Sequence, residues 1–77
     1  PASCSDSDVL TTSNVQNALS GLPSKLKILE RSASVELGGY RLTSIIIDCQ
    51  SQRFSLKITE AKIKSTWKLT KTARLEN

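Results

Sequence analysis

The dominant pattern in the chain is a period of two. Val35 and Leu37 alternate with Ser34 and Glu36, Tyr40 and Leu42 resume the alternation after Gly38-Gly39, and Phe54, Leu56 and Ile58 alternate with Ser55 and Lys57. Successive side chains of a strand point to opposite faces, so these stretches read as strands of one sheet. Tyr40 to Cys49 holds the densest β-branched run, Ile45-Ile46-Ile47 included, and is expected to be the central strand. Gly38-Gly39 offers the two residues of positive φ that a tight hairpin needs. That turn places Leu37 opposite Tyr40, Glu36 opposite Arg41 and Val35 opposite Leu42, giving apolar and oppositely charged cross-strand pairs together. Leu26 and Ile28 fall out of phase with Leu29, which predicts a bulge near Glu30. Beyond Ile58 the apolar residues move to odd numbers, at Ala61, Ile63, Trp67, Leu69, Ala73 and Leu75. The slip predicts a tight corner near Thr59-Glu60 and a further strand from about Thr66 to Leu75; one long strand bent at a bulge is the other solution.

A helical period occurs once. Ser13-Asn14-Val15-Gln16 has the form of a capping box, Val15, Ala18, Leu19 and Leu22 make one apolar stripe, and Gly21 and Pro23 supply a stop. A helix of about two turns cannot stand alone and must pack on something. Residues 1–12, rich in Ser, Thr and Asp, are expected to form an extended arm tied down at Cys4, and 13–77 a single small domain. The expected fold is α+β: one short N-terminal helix packed on an antiparallel sheet of about four strands, with a partial barrel left open by the bend. The main core is expected from Val35, Leu37, Tyr40, Leu42, Ile46, Phe54, Leu56 and Ile58, with Ile45, Ile47 and Cys49 on the opposite face and Trp67 buried.

The chain is small for a domain. At 77 residues a single core barely outweighs chain entropy, and a staple is expected. Cys4 and Cys49 are the only cysteines, and bridging them would stabilise the fold by about 4 kcal/mol in the chain-entropy model. The bridge would draw the arm across the face of Ile45, Ile47 and Cys49, and it points to a secreted or periplasmic protein of the cell envelope rather than to two cytosolic thiols. Ala2-Ser3-Cys4-Ser5 also has the small-small-Cys look of a lipid-attachment site, although Pro1 stands where leucine is usual. Lipid anchoring at Cys4 is therefore the alternative, and it would leave Cys49 unpaired. The chain has no methionine, so a segment upstream of Pro1 is expected. No apolar run approaches the length of a transmembrane segment.

Candidate chemistry is sparse. Two cysteines without histidine do not complete a zinc site, and neither metal nor cofactor is expected. The lack of histidine, of a phosphate-binding loop and of a nucleophile elbow argues against an enzyme.

Charge is the asymmetric feature: the formal net charge is +4, yet the first acids, Asp6 and Asp8, stand in a segment with no base before Lys25. Strict alternation puts Lys62, Lys64, Lys68 and Arg74 on one face of the last segment, with Trp67 on the other as the nearest aromatic anchor. These five are the candidate binding residues. The expected function is that of a small non-enzymatic extracytoplasmic protein binding an acidic partner protein, as an inhibitor, adaptor or toxin subunit does. The alternative is a binder of an anionic polymer (glycan, lipopolysaccharide or nucleic acid) or of a lipid headgroup, through the basic C-terminal strand.

Overall fold

A computed structural model describes residues 4–75. Two short helices, α1 (Asp6–Leu10) and α2 (Thr12–Leu19), precede five strands, β1 (Leu26–Arg31), β2 (Val35–Leu37), β3 (Tyr40–Cys49), β4 (Gln52–Ile63) and β5 (Thr66–Arg74). The sheet is antiparallel and open, in the order β1-β3-β4-β5, with β2 also paired to β3. It does not close into a barrel. Five strands stand where about four were expected because the first limb is broken at residues 32–34, and both of its pieces lie along β3.

Several local expectations hold. Gly38 and Gly39 have φ of 58° and 83°, and the register is Leu37 to Tyr40, Glu36 to Arg41 and Val35 to Leu42. The register of β1 against β3 shifts between Ile28 and Glu30, where the bulge was expected. Helix α2 ends on Gly21, with φ of 73°, in a Schellman arrangement: Leu22 N–H donates to Asn17 C=O at 2.9 Å and Gly21 N–H to Ala18 C=O at 3.3 Å.

The arm is not extended. Ser5 caps α1 in a reciprocal box with Asp8: Ser5 N–H donates to Asp8 Oδ2 at 3.0 Å and Asp8 N–H to Ser5 Oγ at 3.4 Å. Lys25 adds an ion pair to Asp8 at 3.3 Å. Helix α2 starts two residues earlier than expected, with Thr11 at the cap position, and Ser13 lies inside it instead of capping it.

The larger correction concerns which face is the core. The turn after β3 is only two residues, Gln50-Ser51, so Cys49 pairs with Gln52 and every odd position of β3 faces the same way as an even position of β4. Ile45, Ile47 and Cys49 therefore join Phe54, Leu56 and Ile58 in one core, covered by Val9 and Val15 of the helices and closed by Leu26. Fully burying each such side chain stabilises by roughly 1.5–3 kcal/mol. Val35, Leu37 and Tyr40, expected inside, are 61%, 70% and 51% exposed on the other face. The phase slip also has other causes: on β4 the charged Glu60 takes an inward position, and β5 carries one extra residue. Strand β4 pairs with β3 without interruption as far as Ala61, so there is no corner at Thr59-Glu60. The extra residue is Thr70 on β5, since Thr59 pairs with Lys71 but Glu60 with Leu69.

The bridge is present. Cys4 is bonded to Cys49 across 45 residues, Cα to Cα 6.1 Å, and with Cys4 in that bond no thiol remains for a lipid thioether. The helical layer is held further by Thr72 Oγ1 donating to Leu10 C=O at 2.6 Å and by Arg74 paired with Asp6 at 2.7 Å.

Two predictions follow from these local geometries. An added Cβ at Gly39 meets nothing within 4 Å, so Gly39→Val should destabilise through backbone conformation alone, by about 1–3 kcal/mol in urea unfolding; a midpoint indistinguishable from the parent would remove the turn's role. The second concerns acid. The Ser5 backbone hydrogen bond, and then Lys25, hold the Asp8 carboxyl below its ordinary 3.8. Its stabilisation is therefore full above that value and lost as pH falls through the lower folded value. Asp8→Asn is expected to flatten the acid limb of the stability–pH curve, and an unaltered limb would show that the cap contributes nothing there.

Candidate binding surface

One face of the sheet lies under the helices and the other has no cover among the described residues. Cross-strand rows define the uncovered face. From the Gly38-Gly39 end they run Leu37, Tyr40, Ala61, Lys68, and then Val35, Leu42, Thr59, Lys71; Ser44, Lys57 and Ala73 follow. A last row, Ile46 and Ser55, is completed by Leu75, whose N–H donates to Ser55 C=O at 2.8 Å. Apolar side chains thus occupy the β2 and β3 side of this face, and Lys57, Lys68 and Lys71 stand toward β5. A shallow depression of about 270 Å³ lies across it, lined in part by Glu30, Ser32, Ile46, Ser55 and Leu75.

The covered face continues past the helices toward the turns, and there it becomes polar. Arg41 and Glu60 sit opposite each other in register and form a two-pronged ion pair, Nε to Oε1 at 2.9 Å and Nη2 to Oε2 at 3.1 Å. Glu60 is buried, and its inward place explains why the apolar alternation breaks at that position. The Glu60 hydrogen bonds, with Glu36 nearby, raise the Arg41 guanidinium above its ordinary value, so it is charged at every physiological pH. Arg41 also stacks over the half-buried Trp67 ring, 4.6 Å to its centroid, and Lys62 Nζ approaches the same ring at 5.9 Å.

The five candidate residues do not share one surface. Lys62 lies on the face of Trp67, opposite it in register, not across the sheet from it. Lys64 is in the two-residue turn Lys64-Ser65, where both residues have positive φ, 49° and 67°. Lys68 is opposite Ala61 on the uncovered face. Arg74 is on the helix side, paired to Asp6 and 5.2 Å over the Phe54 ring. Two features divide them: the two-residue turn Lys64-Ser65 sets Ile63 opposite Thr66, so Lys62 and Lys68 face opposite ways, and the Thr70 bulge inverts the alternation between Leu69 and Lys71, so Lys68 and Arg74 do too. Lys71 and Lys57 of the uncovered face, and Arg41 beside Trp67, are further cations that strict alternation does not single out. The Arg41 to Glu60 pair was legible only once the register of β3 on β4 was known.

No helix among the described residues is long and apolar enough to cross a membrane. No protein-family model, curated protein or solved structure matches this chain.

Removing one member of a part-buried pair leaves the other unsatisfied. Glu60→Ala is expected to cost about 1–3 kcal/mol and to free the Arg41 side chain from Trp67, with a changed tryptophan emission in the folded protein. A stability and emission spectrum matching the parent would show the pair to be inert.

Proposed function

We propose that this chain is a small non-enzymatic extracytoplasmic protein that binds an acidic partner protein along β5 and the adjoining uncovered face. The observation that carries this reading is β5 itself. It is the terminal strand of an open sheet, nine residues long, and no other described segment hydrogen-bonds to its outer backbone. Such an edge accepts an extended segment by main-chain pairing, while neighbouring side chains supply selectivity. Here those side chains are Lys68 and Lys71, with Leu42 and Val35 deeper in the same face. Lysines at the edge also discourage pairing with unrelated or like-charged strands, so an acidic segment is the partner that this edge favours.

The Cys4 to Cys49 bond fits a compartment outside the reducing cytosol, and we read that compartment as secretion or the periplasm. The anionic-polymer alternative has less support. Its basic residues are divided among the turn, the uncovered face and the helix side, so they form no continuous track for a long polyanion.

The test is affinity capture from native extract with the parent and with Lys68→Glu/Lys71→Glu. Both substitutions are on solvent-facing positions and should change stability by no more than about 0.5 kcal/mol. Retention of the partner should fall at least about tenfold, and capture by the parent should weaken as salt screens the rim. A double variant that holds the same protein with undiminished affinity would exclude β5 as the contact.

A further inference from the structure

The two hairpin turns Gly38-Gly39 and Lys64-Ser65 lie side by side at one end of the sheet. Lys62 N–H donates to Gly39 C=O at 3.1 Å, Tyr40 pairs with Ala61, and Ile63 pairs with Thr66 across the second turn. The disulfide is at the other end, beside the Gln50-Ser51 turn, and the molecule measures 42 Å along its longest axis. The turn end gathers an unusual set of side chains for a solvent-facing tip. Leu37, Tyr40 and Ile63 are exposed there, and Trp67 is half-buried behind them. Tyr40 and Trp67 are the only tyrosine and the only tryptophan in the chain.

Charge at this end is net positive. Arg41 and Glu60 neutralise each other, which leaves Lys62, Lys64 and Lys68, all exposed, against Glu36. The acids Asp6, Asp8 and Asp48 belong to elements at or near the disulfide end. Lys64 occupies a left-handed position that glycine or asparagine would take with less strain, so the turn carries a lysine where conformation alone would not select one.

We propose that this end docks, turns first, onto the surface of a bilayer containing anionic phospholipid. Leu37 and Ile63 would enter the acyl boundary, Tyr40 and Trp67 would sit at headgroup depth, and Lys62 and Lys64 would meet the lipid phosphates. Tryptophan and tyrosine favour that interfacial depth because each joins an apolar ring to a polar atom, and anionic lipid surfaces attract basic tips electrostatically. Its exposed apolar groups Leu37, Tyr40 and Ile63 directly flank the two turns, a placement suited to insertion end-on into a deformable surface. The Trp67 ring face stacked with Arg41 is not open to a nucleobase. This docking goes beyond the partner reading: it uses the tip and leaves Lys71 and the part of β5 beyond Leu69 free.

The test is co-sedimentation of the oxidised full chain with phosphatidylcholine vesicles, with and without about one third phosphatidylglycerol, alongside Trp67 emission. Binding and a blue shift are expected with the anionic vesicles only. Lys62→Glu/Lys64→Glu and, separately, Leu37→Ser/Ile63→Ser should each lower partitioning at least about tenfold, with thermal unfolding unchanged. Lys27→Glu/Arg53→Glu, on the row of Asp48 toward the disulfide end, should leave it unaltered. Absence of binding to anionic vesicles would overturn the proposal, as would equal loss with the Lys27/Arg53 variant or indifference to Leu37 and Ile63. Loss of capture with Lys71→Glu alone, one row away from the tip, while vesicle binding persists would separate the two surfaces; vesicle binding that fails while an acidic protein is captured through Lys62 and Lys64 would reassign the tip to a protein.

Discussion

The covalent link between Cys4 and Cys49 is what lets so little helix serve as a structural layer. Helices of five and eight residues are below the length that is stable in water, and their burial of Val9 and Val15 must be held in place from outside. Cys49 is fully buried at the end of the central strand, so the bond fixes the start of α1 over the core. Capping by Ser5 and Asp8 then orients the first turn, and Thr72 and Arg74 catch its far side from β5. Of these, the exposed Arg74 to Asp6 pair contributes least, since solvent screens it. The chain closes its fold by bringing the first helix, the centre and the last strand to one place.

Covering only one face has a cost, and the sheet divides its residues accordingly. Isoleucine, leucine and phenylalanine fill the covered side between β3 and β4, while the uncovered side keeps an apolar corner around Val35, Leu37 and Tyr40 bordered by lysines. A sheet this small has no second layer with which to hide that corner. The Arg41, Glu60 and Trp67 cluster meets the opposite need: it ends the covered side with polar groups that satisfy one another where the helices stop.

Local signals in the sequence were read correctly where a residue type forces a conformation. The Gly38-Gly39 hairpin with its register, the bulge before Glu30 and the stop at Gly21 all follow from backbone chemistry that few residues can supply. The errors arose where one residue decides the orientation of many. Gln50-Ser51 contains no glycine, yet it turns in two residues, and that length alone sends Ile45 and Ile47 inward and Val35 and Leu37 outward. Thr70 did the same to the basic residues of β5, and nothing in its side chain marks a bulge. Helix α1 was missed because aspartate, not glutamate or glutamine, completes its capping box. The candidate residues were legible as a charge bias but not as a surface.

The Thr70 bulge has one further consequence, for the behaviour of many copies in concentrated solution. Two identical β5 edges approaching antiparallel would have to pair regular stretches on either side of an extra residue, and the bend that accompanies it would carry the ladders apart. Like-charged lysines add repulsion at the same approach. The flaw in the ladder thus acts as a brake on filament growth: the edge remains usable over a few residues by a segment that matches its curvature, while endless stacking of the chain on itself is frustrated after each short run.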